Sequence, residues 1–328
     1  MKKLLTILCL VLLVSCSPPP EVPTNQLVER QGVTYQINSE TPFTGTSVEY
    51  YIDTIIKDEF EDRVLWKRTT YKDGVLDGLY ESFHPNGQTG VRENYKLGLE
   101  HGLHEVFYEN GQLTETGNFI DGYEDGLWEF FYEDGWLTEI INYKMGLKHG
   151  LHEDFVGTFI NIRENYKNGE LDGLYERFYI FSSQLESRKN YKDGTEEGLQ
   201  EKFFDNGQLQ EKRNIENGEL VLHQTFDQKG NPLNDLTYKD GKKTGVEVGF
   251  HKNGQLWSRT NYKNGIQDGL RESFHDNGQL EFRGDVVDGK GEGLFETFHE
   301  NGQLERRGNY KNGCYDGPWE YFDEEGLH

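Results

Sequence analysis

The sequence predicts an all-β protein, an elongated single-layer antiparallel β-meander of about eleven 24-residue β-hairpin repeats. Three observations predict it. Residues 71–94 read YKDGVLDGLYESFHPNGQTGVREN, and the same pattern returns at Tyr95, Phe119, Tyr143, Tyr166, Tyr191, Ile215, Tyr238, Tyr262, Val286 and Tyr310, with start-to-start spacings of 23 to 25 residues. Asn-Gly pairs separate strand-like runs at one fixed phase, as at Asn86-Gly87 and Asn253-Gly254, and Asn-Gly between such runs is a strong hairpin signal. Only 34% of the 328 residues are hydrophobic and the mean hydropathy is -0.82, whereas 13% are aromatic and 39 are glycine. That balance is too polar for one globular core and suits a thin, turn-rich sheet.

The N-terminus reads as an address. Met1-Lys2-Lys3 precedes an apolar run over residues 4–14, which is too short to span about 30 Å of hydrocarbon. Leu13-Val14-Ser15-Cys16 resembles a lipobox, so residues 1–15 are read as a lipoprotein signal peptide. The resemblance implies lipid attachment at Cys16, and acylation by more than one chain anchors a protein stably. Residues 16–32 carry four of the eight prolines in Ser17–Pro23 and read as a semi-rigid linker. Ser17 after the lipidated cysteine implies, by the same resemblance, the outer membrane over the inner. Residues 33–70 read as a degenerate entry half-repeat and 71–328 as the array, whose last copy, 310–328, is partial.

Within each unit the pattern is Y-K-x-G-x-x-x-G-L-x-E-x-F-x-x-N-G-Q-L-x-x-R-x-N. The Asn-Gly connection is expected to form a two-residue type I′ turn, with positive φ at both residues. Lys-Asp/Asn-Gly, as in Lys72-Asp73-Gly74, is the second connection. Alternation places Leu79, Glu81 and Phe83 on one face and Tyr80, Ser82 and His84 on the other. Phe83, Phe107, Phe155, Phe178 and their equivalents would then stack as a continuous aromatic ladder. The column Leu113, Leu137, Leu209, Leu256, Leu280 and Leu304 is expected on the opposite face. A two-residue turn would set Glu81 opposite Arg92, Glu201 opposite Lys212, Glu272 opposite Arg283 and Glu296 opposite Arg307, each pair worth about 0.2–1 kcal/mol.

The repeated Y-K-x-G-x-x-x-G-L followed by N-G-Q-L resembles the MORN-repeat variant of bacterial proteins, many described as YwqK-like antitoxin components. The resemblance spans roughly residues 41–328, beginning at Thr41-Pro42-Phe43-Thr44-Gly45. It implies a scaffold or interaction surface, or an immunity or antitoxin component that neutralises a toxin. A passive structural spacer of the cell envelope is a third reading.

Departures from the pattern mark the candidate site. The unit at Tyr143 has Val156-Gly157-Thr158-Phe159-Ile160 in place of the Asn-Gly turn, and the next has Tyr179-Ile180-Phe181-Ser182-Ser183. Upstream lie Trp128, Phe130, Phe131, Tyr132 and Trp136. Trp128, Phe130, Tyr132, Trp136, Phe159, Tyr179 and Phe181 form the candidate binding patch; a local bulge packed on itself is the alternative.

His84, His251, His275 and His299 share one phase, but columns two strands apart stand roughly 10 Å from one another, too far for ligand distances near 2 Å. No metal or other cofactor is therefore expected. The sequence contains no nucleophile elbow, phosphate loop or H-E-x-x-H helix, so an enzyme is not expected. A net charge of -24 disfavours nucleic acid and anionic headgroups. The expected partner is a protein, with membrane contact through the N-terminal lipid alone. The last strand-like run, Trp319–Phe322, is either a protected edge or a site of strand addition.

Overall fold

The structure is a computed structural model that describes residues 21–51 and 64–327. The signal segment 1–15 and the lipid-attachment residue Cys16 lie outside the described residues. The chain divides into two compact units. One runs to Gly126 and includes Phe130–Gly135, and the other comprises Leu127–Glu129 and Trp136–His328. Among the described residues the sole helical element is a 3-10 turn at Thr24–Gln26; every other regular element is a strand.

The first unit opens with β1 (Glu21–Pro23), β2 (Leu27–Arg30), β3 (Val33–Gln36) and β4 (Gly45–Tyr50). Residues 21–30, part of the stretch read as linker, are thus largely in strands. β1 lies parallel to β4, and Val22, Phe43, Thr46, Ser47 and Val48 are buried. β5 (Leu65–Lys72), β6 (Val75–Phe83), β7 (Thr89–Lys96), β8 (Leu99–Phe107) and β9 (Leu113–Ile120) follow, each antiparallel to its predecessor. The second unit continues the meander from Leu137–Lys144 to Cys314–Tyr321, again with antiparallel neighbours.

The type I′ geometry expected at Asn-Gly is found at the other connection instead. Asp73 (φ 53°) and Gly74 (φ 80°) are both left-handed, so the type I′ turn belongs to Lys-Asp-Gly. At the Asn-Gly tip only Gly87 is left-handed, with φ 85°, while Asn86 keeps negative φ. Gly87 N–H donates to His84 O at 2.8 Å and His84 N–H to Gln88 O at 2.7 Å, closing a three-residue loop. This is a type I turn followed by a left-handed glycine.

The longer loop should slip the register by one, yet all four predicted Cα pairings stand: Glu81↔Arg92, Glu201↔Lys212, Glu272↔Arg283 and Glu296↔Arg307. A β-bulge compensates. Phe83 pairs with Thr89 but Ser82 with Val91, leaving Gly90 as the extra residue. Ahead of the bulge the parity is changed, so Leu113 pairs with Phe107 and Leu209 with Phe203. Directly opposed residues share a face. The leucine column therefore lies on the phenylalanine face, contrary to the sequence expectation.

A second irregularity explains the interior G-L. Between the pairs Tyr71↔Leu76 and Thr69↔Tyr80, Thr70 alone faces Asp77, Gly78 and Leu79. Gly78 has φ 121°, and a Cβ there would stand 3.0 Å from Thr70 Cγ2. The final asparagine of the pattern satisfies the widened ladder. Asn94, Asn142, Asn165, Asn190 and Asn261 donate through Nδ2 to the carbonyls of Leu103, Leu151, Leu174, Leu199 and Leu270 at 2.6–3.2 Å.

Candidate functional site

Consecutive hairpins are joined at three levels. At the tips, Asn86 Nδ2 donates to Glu109 O at 2.6 Å and Asn110 Nδ2 to Glu133 O at 2.8 Å, while Asn86 Oδ1 accepts from Gln88 N–H at 3.0 Å. The asparagine is selected for these side-chain bonds, which explains its negative φ. One residue inward, Nε2 of His84, His251 and His275 stands 2.8 Å from the carbonyl oxygens of Phe107, Phe274 and Phe298. Tyr108 and Tyr179 hydroxyls donate at the same place to Phe131 and Phe203. The histidine phase is thus a slot for a ring that reaches the next unit's backbone.

The third level is electrostatic. Arg283 meets Glu296 at 2.5 Å and lies 5.8 Å over Phe298; Arg307 repeats this with Glu320 and Phe322. Arg92 bridges Glu81 at 3.4 Å and Glu105 at 3.5 Å. Arginines on intervening strands interleave with the phenylalanines, which stand two strands apart, and so replace the predicted ring-on-ring ladder. Ring contacts run instead along the tyrosine face: Tyr80–Tyr95 and His104–Phe119 in the first unit, Trp128–Tyr143, Tyr175–Tyr191 and Phe295–Tyr310 in the second.

The patch residues divide. Trp128 is 4% exposed, stacked edge-on against Tyr143 at 6.2 Å, and belongs to the tyrosine-face core. Phe130 is half-buried. Tyr132 and Trp136 are exposed. Phe159 and Phe181 do meet, with ring centroids 6.0 Å apart at 84°. Val156 pairs with Phe159 around Gly157-Thr158, a loop one residue shorter than usual. Tyr179 N–H donates to Gln184 O, which encloses four residues, one more than usual. Phe181 sits in this longer loop with φ 70° and is 75% exposed. A left-handed conformation is costly for a large L side chain, and such strain concentrates at ligand-contacting segments.

Sequence reasoning missed two histidine clamps on the tyrosine face. His104 Nδ1 lies 3.0 Å from Glu93 and Nε2 3.3 Å from Glu115; Tyr95 OH donates to Glu93 at 2.8 Å. His152 stands 2.7 Å from Glu164 and from Glu139, and Tyr166 OH donates to Glu164 at 2.8 Å. Burial opposes charge on His104, but hydrogen bonds to Glu115 and Glu93 outweigh it and push its pKa up to about 9. Burial also opposes charge on Glu93, which the His104 and Tyr95 hydrogen bonds nevertheless hold below the ordinary carboxylate range. A histidine in the G-L-x slot, with glutamate before the final asparagine, was the signal available.

Short β-hairpins, most of them joined to their successors by turn asparagines, slot rings or arginines, define a β-hairpin repeat protein. Seven segments match the MORN repeat variant: residues 76–96, 100–121, 124–145, 196–217, 243–264, 267–288 and 291–312. These seven leave residues 146–195 uncovered, the stretch that holds the Phe159 and Phe181 tips. No curated protein matches the chain.

Proposed function

We propose that the protein is a non-enzymatic interaction scaffold, lipid-anchored in a bacterial envelope through Cys16, that captures a protein partner at the irregular tips. The observation that carries this reading is Phe181, a bulky aromatic held at positive φ, 75% exposed and braced edge-on by Phe159. An exposed ring braced by a second one offers an aromatic anchor of the kind that partner surfaces use. Trp136 adds an exposed indole in the same unit. MORN repeats commonly act as protein- or membrane-interaction modules, which supports the class of function.

The test is affinity capture from envelope extracts with the full chain in detergent, comparing wild type with Phe159→Ala/Phe181→Ala and Trp136→Ala. One dominant protein lost with the tip variants, at unchanged thermal midpoint, is the expected result. Equal capture by all three baits would remove the tips from the interface, and no enriched protein from any bait would remove the scaffold reading.

A further inference from the structure

The tyrosine face loses the slot ring at Gln200, Glu247 and Arg271 in the second unit, and a cleft with converging cations stands at the first of these. The G-L-x slot holds a ring in most units, including Trp128, His152 and Tyr175. In the unit that starts at Tyr191 it holds Gln200, and the following unit starts with Ile215 where a tyrosine is usual. Two rings are therefore missing from neighbouring positions. A cleft of about 160 Å³ stands there, lined by Gln200, Ser187, Arg177, Lys189, Lys202 and Arg213 among others.

The charges around that slot are inverted relative to the histidine clamps. The residue before the final asparagine is Glu93 beside His104 and Glu164 beside His152, paired with them in register. Those same phases hold Lys189 and Arg213 at the Gln200 slot, with Arg213 paired to Gln200 in register. Where two units set an imidazole among carboxylates, this one sets a neutral amide among cations. Gln200 is 2% exposed and spends its amide on the backbone, its Nε2 donating to Asn190 O at 3.1 Å and its Oε1 accepting from Asn190 N–H at 3.2 Å. That leaves the cleft above it open.

The neighbouring carboxylates only partly neutralise the cations. Lys189 is paired with Glu196 at 2.5 Å and Arg177 with Glu186 at 3.0 Å. Arg213 reaches Glu211 only at 3.7 Å, and Glu211 is shared with His223 at 2.9 Å. Lys202, between Ser187 and Glu211 in register, has no ion-pair partner among the described residues. The lining sets four cations against the carboxylates of Glu186, Glu201 and Glu211, an excess of one positive charge in a chain with 58 acidic and 34 basic residues. A cleft focuses the field of the charges that line it.

We propose that the Gln200 cleft binds an oxyanion, the phosphate or carboxylate group of a small or terminal ligand moiety, held by Lys202, Arg213 and Lys189. Guanidinium and ammonium groups recognise such groups by charge-assisted hydrogen bonds, and the volume admits one such group and not a folded partner. This site stands apart from the Phe159 and Phe181 tips and does not depend on them.

The test is isothermal titration of the full chain with sodium phosphate and with sodium glucuronate at fixed ionic strength, with glucose as the uncharged control. Saturable binding of at least one anion and none of glucose is expected. Lys202→Gln and Arg213→Gln should each weaken it about tenfold. Gln200→Tyr, which restores the ring usual in other units and fills the cleft without touching a charge, should abolish it. A response to phosphate alone assigns a phosphate-bearing ligand, and a response to glucuronate alone a carboxylated one. The proposal is overturned by no saturable binding of either anion, by glucose binding equally well, or by unchanged affinity in both Lys202→Gln and Gln200→Tyr. Lys202 is exposed, so its variant reports on binding even if Gln200→Tyr disturbs packing.

Discussion

Arg283 and Glu296 stand thirteen residues apart in successive hairpins, yet the Arg283 Nε donates to the Glu296 carboxylate at 2.5 Å. In register Arg283 lies opposite both Glu272 of its own hairpin and Glu296 of the next. Its ion pair is with the next hairpin, where the same guanidinium also covers Phe298. One side chain thus supplies a charge, a cross-strand partner and a lid for an aromatic ring. Stability in such arrays comes from interfaces between neighbouring repeats, and this arginine is an interface residue before it is a hairpin residue.

Glu296 is buried, so removing its partner leaves a carboxylate poorly solvated. Arg283→Ala should lower stability by about 1–3 kcal/mol, measured as the urea midpoint. Adding Glu296→Gln should recover part of the loss, because the uncompensated charge goes with it. An unchanged midpoint in Arg283→Ala would show that the pair is dispensable.

The His104 clamp predicts a pH dependence with a definite sign. The folded-state pKa is raised to about 9 against an ordinary value of 6.5. A raised pKa means that the folded state holds the proton more tightly. The stabilisation is therefore complete below about 6.5 and is lost as pH climbs through about 9. Glu93 acts at the other end. Its lowered pKa stabilises above the ordinary carboxylate value and fails as pH falls through the folded one. Thermal midpoints of wild type minus His104→Gln, followed from pH 6 to pH 10, should converge as alkalinity rises. A constant difference would mean that the clamp is not charged.

The type I′ turns suggest stabilising changes. Leu97 and Met145 occupy the first turn position with φ 53° and 51°, and both are exposed. Asp or Asn stands at that position in the other units, where the left-handed region is tolerated. Left-handed φ costs an ordinary L residue about 1–2 kcal/mol. Leu97→Asn and Met145→Asn should each recover up to about 1 kcal/mol and raise the thermal midpoint. A fall in either midpoint would show that the exposed side chain makes contacts worth more than the strain.

Hairpins, strand order and Cα register were legible because glycine-bearing turns and 24-residue spacing leave few other arrangements. The turn types were not, since Asn-Gly suits a type I′ turn as well as the geometry found. Leu97-Gly98 and Met145-Gly146 held the clue, because only a backbone-enforced turn would keep such residues beside an invariant glycine phase. The register came out right through two compensating shifts, the three-residue loop and the bulge at Gly90. The leucine column, read between those shifts, came out on the wrong face. The phenylalanine ladder failed on distance, since residues two strands apart need an intervening side chain to connect them. Within the candidate patch, phase separated the two tryptophans, for Trp128 takes the slot of Tyr80, His104 and His152 whereas Trp136 takes the tip position of Gln88.

That division of the tryptophans gives the sharpest test of the site. Trp128 is 4% exposed against Tyr143, and removing a buried ring of this size costs about 3–5 kcal/mol. Trp136 is 51% exposed at a turn, where truncation is expected to cost under about 1 kcal/mol. Urea midpoints should therefore fall steeply in Trp128→Ala and little in Trp136→Ala. If Trp136→Ala unfolds the protein as readily, its indole is a packing residue, and the interaction surface contracts to Phe159 and Phe181. If Trp128→Ala leaves the midpoint unchanged, the tyrosine face does not hold the hairpins together, and the stability of the array must be sought in the arginine pairs and turn asparagines alone.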